Sequence, residues 1–162
     1  VPMFEEMDGQ LLDTMCDRLK TVLYAKNSYI FREGDPVDEM VFIMSGKLRS
    51  STTDGGRTGF FNSVFLMAGD FCGEELLTRA LDPNSSSNLP SSTRTVETIS
   101  EVEAVALMLD DLKLVASHYQ RIVGHKQLQH TFRQGLIIYI MLNSSFSCLL
   151  MHHYILWNHA GQ

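Results

Sequence analysis

The stretch GDFCGEELLT (69–78) and the arginine of SSTRTVE (91–97) hold the residues best suited to chemistry. Gly73 precedes a short helical run, EELLTRAL (74–81). A residue without a Cβ lets the backbone approach a ligand closely. The first turn of a helix leaves N–H groups unpaired at the positive end of its dipole, which favours an anion such as phosphate. Arg94, opening a separate strand, would fix that anion with a charge-assisted, bidentate contact. Glu74 cannot share the task, because a bare carboxylate repels a phosphate; it suits a sugar hydroxyl. Phosphate on Arg94 and amides, with a hydroxyl on Glu74, describes a nucleotide whose phosphate and ribose lie side by side, as in a cyclic nucleotide. A plainer reading also fits: Glu74 and Glu75 as first-turn acids stabilising a helix, and Arg94 as an exposed strand residue.

The elements that must position these residues can be read from periodicity. Residues 4–24 read as a helix, with Phe4, Met7, Leu11, Met15, Leu19 and Val22 recurring at three- and four-residue steps. From 28 to 109 the pattern becomes short β-prone runs: SYIF, MVFIM, KLRSSTT, TGFFNSVF, TRTVETI and VEAVALML. Turn signals separate them, at Glu33–Pro36, Ser45-Gly46, Asp54-Gly55-Gly56 and Gly69-Asp70. Many short strands between glycine turns point to an antiparallel sandwich, barrel or jelly roll. No helices alternate with the strands, which disfavours a parallel sheet. Two features interrupt the β region: the helical run at 74–81, and the polar loop DPNSSSNLPSS (82–92). Residues 110–133 read as a second helix, opened by Asp110 and Asp111 and basic thereafter at Lys113, Arg121, Lys126 and Arg133. Its stripe of Leu112, Val115, Tyr119 and Ile122 is apolar only in the first half. The tail, 134–162, carries no Lys, Arg, Asp or Glu.

Bulk properties exclude several functions. The chain of 162 residues suits one domain with a real core. A net charge of −6 argues against nucleic acid as a partner. Cys16, Cys72 and Cys148 are scattered and match no metal spacing, so they read as reduced thiols in a cytosolic setting. All six histidines follow the β region, so a metal site built on strands, as in a cupin enzyme, is disfavoured. No basic recognition helix follows residue 133, which disfavours a transcription factor. No signal peptide is legible. The chain opens Val1-Pro2 rather than with methionine, which reads as a fragment or processed piece.

The segments VPMFEEMD, YIFREGDPVDEMVFIMSGKL, TTDGGRTGFFN, GDFCGEELLTRALDP, SNLPSSTRTVE, EVEA, LKLVAS and HKQLQHTFR resemble the cyclic-nucleotide-binding domain of plant cyclic nucleotide-gated ion channels. They cover nearly all of residues 1–133. The resemblance implies a mainly β fold with flanking helices: an antiparallel β-roll or jelly roll of about eight strands, an N-terminal helical part (1–27), a β-roll over 28–109, a short phosphate-cassette helix within it and a C-terminal lid helix (110–133). By position, Gly73 and Glu74 match the cassette glycine and the ribose-binding glutamate. Glu75 and Leu76 would supply backbone amides, Arg94 the phosphate contact and Thr95 the hydroxyl beside it. Gly34 and Gly46 match the family's glycine turns. Plant members commonly carry tryptophan where this chain has Arg79, which would lie at the surface. The serine-rich loop 82–92 is longer than in animal relatives and lengthens the span between the two halves of the site.

The implied function is that of a ligand-sensing domain on the cytosolic face of a membrane, most naturally the plasma membrane. It would bind cAMP or cGMP, perform no catalysis, need no metal, and bias a pore formed with other channel subunits. The base would lie under residues of the 110–133 helix. Calmodulin is a further candidate partner at that basic helix. The family's IQ-type calmodulin segment is absent, because the resemblance stops at Arg133. The competing function is a ligand-independent module that docks calmodulin or channel subunits. For 134–162 three readings stand: a membrane-spanning segment at 136–157, an extra helix docked on the β-roll, or a non-family sequence from alternative or unspliced coding.

Overall fold

The computed structural model describes residues 18–82, 84 and 88–123, with side chains as far as Ser117. Most of the expected N-terminal helix, the far part of the lid helix and the 134–162 tail lie outside the described residues.

The described chain runs β1 (Lys20–Tyr24), β2 (Tyr29–Phe31), β3 (Glu39–Ser45), β4 (Leu48–Thr52), β5 (Asn62–Leu66), β6 (Phe71–Cys72), α1 (Glu75–Leu81), β7 (Thr95–Thr98), β8 (Val102–Met108) and α2 (Leu109–Val123). The strands form two four-stranded sheets, ordered β1-β8-β3-β6 and β2-β7-β4-β5, and each paired ladder is antiparallel. This is the mainly antiparallel β-roll that the resemblance implies, and it agrees with the antiparallel class read from the glycine-punctuated runs. Side chains of both sheets meet in one core, among them Phe31, Phe42, Leu48, Val96 and Val102. Met40–Ile43 and Ala104–Leu107 are buried without alternation, as strands covered on both faces must be. Helix α2 packs against β8 and α1, and among its described side chains it buries Leu112, Val115 and Ala116.

One boundary needs correcting. The helical spacing read over 4–24, and the helical part drawn to residue 27, run too far. Lys20–Tyr24 form strand β1, in register with β8 from Lys20↔Ala106 to Tyr24↔Val102. The local sequence Thr-Val-Leu-Tyr is β-branched and aromatic, and it alternates, with Val22 and Tyr24 half-buried and Thr21 and Leu23 exposed. Leu19 and Val22 fit a helical step by coincidence, and pairing with β8 decides the outcome. Where β3 turns into β4, Gly46 has φ +96°, and an added Cβ would collide with the Glu101 carbonyl and Val102. That close approach to the start of β8 explains the glycine better than the turn alone.

Among the described helices, none is long and apolar enough to cross a membrane.

Candidate functional site

Four elements bring the site together. β6 ends at Cys72, the chain turns at Gly73, and α1 starts behind Glu74, which stands at its N-cap. Gly73 has φ +84°, and the place of its missing Cβ is taken by the Glu39 carbonyl, with the Met40 Cα at 3.2 Å. The glycine is therefore demanded by β3 behind the turn, and the turn is held as a fixed shape. Opposite it, the segment 92–94 feeds into β7. Its backbone is pinned by Gly34 N–H to the Ser92 carbonyl at 2.8 Å and Ser92 N–H to the Asp35 carbonyl at 2.7 Å, and upstream by Val37 N–H to the Pro90 carbonyl at 2.8 Å. The long loop 82–92 is thus anchored where it returns to the sheet.

Between these elements lies a cavity of about 330 Å³, the lower range of small-molecule sites. Gly73, Glu74, Glu75 and Arg94 all line it, as do Ser50 of β4 and Thr93. Its apolar wall comes from Phe31, Val64, Leu66, Phe71 and Val96. Such a pocket offers an apolar face to a flat ring and a polar end to a charged group.

Arg94 is partly buried. Its Nε donates to Ser50 Oγ at 2.6 Å and its Nη2 to the Ser50 carbonyl at 3.0 Å. Ser50 is itself buried, at 3% exposure. The ion pairs Arg18–Asp111, Arg49–Glu97 and Arg57–Asp54 do not involve Arg94. A guanidinium with five donors thus spends two on a neutral serine and forms no ion pair among the described residues.

Two acids of the cavity accept hydrogen bonds from neighbouring backbone N–H groups. Asp70 accepts from the Met67 N–H at 2.8 Å. Glu75 accepts from the Thr93 N–H at 2.7 Å and the Thr93 hydroxyl at 2.8 Å. Glu74 is exposed and lies beside the helix mouth. Cys72 also lines the cavity, and burial first, then the nearby carboxylates of Glu75, Glu39 and Glu74, push its thiol up to about 12. It stays a neutral thiol at physiological pH and is no nucleophile. Further off, Glu33 holds the β4–β5 turn, accepting from the Thr53 and Gly55 N–H groups at 2.9 and 2.7 Å. The Thr53 and Gly55 amides hold its carboxyl below the usual range.

Of the residues singled out in the sequence, Gly73, Glu74, Glu75 and Arg94 converge on one cavity. Two take other places. Leu76 is fully buried in the core, and its N–H donates to the Gly73 carbonyl at 3.2 Å, inside the turn. Thr95 is absent from the cavity lining; its hydroxyl accepts from the Glu33 N–H at 2.9 Å. Strand alternation explains this, because Arg94 and Val96 line the cavity from β7 and its approach while Thr95 between them does not. Arg79 sits in the last turn of α1 and is partly buried rather than lying at the surface. Ser50 and Thr93 were not foreseen, since hydroxyls in a polar run such as KLRSSTT or SSTRT carry no spacing signal. The one usable clue was that Ser50 alternates with the outward Arg49 on a strand facing the core.

Comparison with known proteins bears on the family of the chain. The family model described as the cyclic nucleotide-binding domain matches residues 21–119. The chain is 71% identical over 133 residues to cyclic nucleotide-gated ion channel 1 of Arabidopsis thaliana, covering 82% of this chain and 18% of that relative. It is 68% identical over 133 residues to the putative cyclic nucleotide-gated ion channel 13 of the same plant, covering 82% and 19%. The chain thus spans less than a fifth of the length of these curated relatives. The solution structure of the cNMP-binding domain from an Arabidopsis thaliana cyclic nucleotide-regulated ion channel superposes with a TM-score of 0.61 at 60% identity, covering 78% of this chain and 92% of that one. The regulatory domain of Toxoplasma gondii PKA, crystallised with cAMP, shares the fold at a TM-score of 0.56 and 20% identity, over 75% and 43% of the two chains. From the β-roll, the Gly73–Glu74 turn and these matches together, the chain belongs to the cyclic nucleotide-binding domain family.

Proposed function

We propose that this chain binds a cyclic nucleotide, cAMP or cGMP, in the cavity between the Gly73–Glu75 turn and Arg94, and that it serves as the ligand sensor of a cyclic nucleotide-gated cation channel. The observation that carries the reading is Arg94: partly buried on the cavity wall, oriented by Ser50, and without a carboxylate partner among the described residues. Burying a charge is costly unless an opposite charge joins it. A phosphodiester anion meets that need, and the donors Arg94 does not spend on Ser50 point to a fork-like contact. The head of α1 adds its dipole. Glu74, at the rim of the same cavity, accepts from the ribose hydroxyl. The apolar wall of Phe31, Val64 and Leu66 receives the rest of the nucleotide. The residues bind and orient, and no step breaks a bond.

Coupling follows from the packing of α1 against α2. A nucleotide bound at the head of α1 shifts the docking of α2 only by the difference in its affinity for the docked and undocked arrangements. In a full channel on a membrane that difference would bias the pore. Residues 1–133 would form the sensor and 134–162 a separate tail.

A second reading has its own support. β5 ends its sheet, and Phe61, Phe65 and Met67 on and beside it are each more than half exposed. An apolar band of this kind suits a ligand-independent module docking calmodulin or channel subunits. A thermal-shift titration separates the two. Binding the folded state at about a hundred times Kd adds ~2.7 kcal/mol, a rise of roughly 5–10 °C for a domain of this size. No shift with either cAMP or cGMP would leave the docking reading and remove the sensor.

A further inference from the structure

The Glu75 side chain has a task that its place at the head of α1 does not require. A first-turn acid gains from the dipole while pointing into water. Glu75 instead reaches out of its helix to the far end of the 82–92 loop, where one oxygen accepts from both the Thr93 N–H, at 2.7 Å, and the Thr93 hydroxyl, at 2.8 Å. Thr93 is the residue immediately before Arg94. On the other side, Ser92 Oγ donates to the Arg94 carbonyl at 2.6 Å, which stiffens the same three residues. Along the chain the two halves of the cavity are joined by the loop, whose length makes its ends expensive to bring together, and backbone bonds to Asp35 and Gly34 anchor its far end to the sheet rather than to α1. The carboxylate links those halves directly, from the residue that follows Glu74 to the residue that precedes Arg94.

We propose that Glu75 is a positioning residue, whose carboxylate latches Thr93 to the head of α1 and thereby holds Arg94 at the distance from the Gly73–Glu74 turn that one phosphate spans. This rests on the reading of the cavity as a cyclic-nucleotide site. The sign of its effect separates it from plain electrostatics. Glu75 lies on the cavity wall where the phosphate would sit, so removing its negative charge would by itself tighten an anion. A latch predicts the opposite: losing it loosens binding, because part of the binding energy must then order the 92–94 segment.

The test is calorimetric binding of cAMP to the full chain, wild type against Glu75→Ala and Glu75→Gln, each also in an Arg94→Ala background, with ligand-free melting recorded for every variant. Glu75→Ala should weaken cAMP about tenfold, the scale of a lost charge-assisted pair of hydrogen bonds. Glu75→Gln keeps an acceptor oxygen at the same reach and should stay within about threefold of wild type. In the Arg94→Ala background, Glu75→Ala should have little further effect, since its action passes through Arg94. Tighter binding by Glu75→Ala, equal weakening by Glu75→Ala and Glu75→Gln, or an undiminished Glu75→Ala effect without Arg94 each overturns the latch while leaving the nucleotide site standing. Failure of the wild-type chain to bind cAMP or cGMP removes the site reading itself, and the latch with it.

Discussion

Replacing Arg94 by alanine removes the cation of the cavity wall, which forms no ion pair among the described residues, and its cost can be worked from the contacts. A charged hydrogen-bonded pair at a desolvated site is worth about 2–5 kcal/mol when one partner is truncated. Arg94 is partly rather than fully buried, which places it at the lower end, ~2–3 kcal/mol, or a Kd raised roughly 30- to 150-fold. A second, separate cost falls on the ligand-free protein. Ser50 Oγ and its carbonyl lose their guanidinium donors, and Ser50 is too buried for water to replace them easily. That should lower stability by about 1 kcal/mol. Arg94→Lys keeps the charge but not the fork, so its Kd should fall between wild type and alanine. Isothermal titration with cAMP and cGMP, paired with denaturant unfolding in the absence of ligand, reads the two costs apart. An Arg94→Ala protein that binds within twofold of wild type would refute the reasoning, because the phosphate would then lie elsewhere.

Other outcomes follow from the same geometry. Glu74→Gln should weaken cAMP by about 1–2 kcal/mol, and it should weaken 2′-deoxy-cAMP hardly at all; an equal loss for both ligands would take Glu74 off the ribose. Gly73→Ala forces a side chain at φ +84° into the Glu39 carbonyl and should destabilise the fold by about 2–4 kcal/mol, read as a lower denaturant midpoint; an unchanged midpoint would mean the turn is pliable. Glu33 is held below its ordinary value of 4.5 by the Thr53 and Gly55 amides. Its contribution to stability is therefore complete above that ordinary value and is lost as the pH falls through the lower folded-state value. Glu33→Gln should flatten the acid limb of the stability profile, and an unaltered limb would show that the β4–β5 turn is held without it.

What the sequence made legible, and what it hid, divides along physical lines. The runs MVFIM and VEAVALML became β3 and β8 because long apolar β-branched stretches between glycine turns have few other uses. The helical run at 74–81 became α1, and Gly73, Glu74 and Arg94 arrived at one cavity. β1 was hidden because Leu19 and Val22 satisfy a helical step, and only the partner strand β8, far along the chain, decides between the two periods. β6, Phe71–Cys72, is two residues long, too short for any periodicity. TGFFNSVF is a β-prone run from residue 58, but β5 begins at Asn62 and leaves Phe60 and Phe61 exposed. Within the site, backbone geometry was harder to foresee than side-chain type. The reason for Gly73 lies in β3 behind it, and the Leu76 amide is used within its own turn. The roles of Ser50 and Thr93 depend on which strand faces which, and a single sequence does not encode that locally.

A crystal structure of this chain grown with saturating cAMP would show most plainly whether Arg94 and the α1 turn share one phosphate. A phosphate oxygen should lie within hydrogen-bonding distance of the Arg94 guanidinium, at about 2.7–2.9 Å, with the ribose hydroxyl on Glu74 and the Glu75–Thr93 contact kept. A nucleotide bound in another part of the β-roll, or a saturated complex in which Arg94 still bonds only Ser50, would contradict that arrangement.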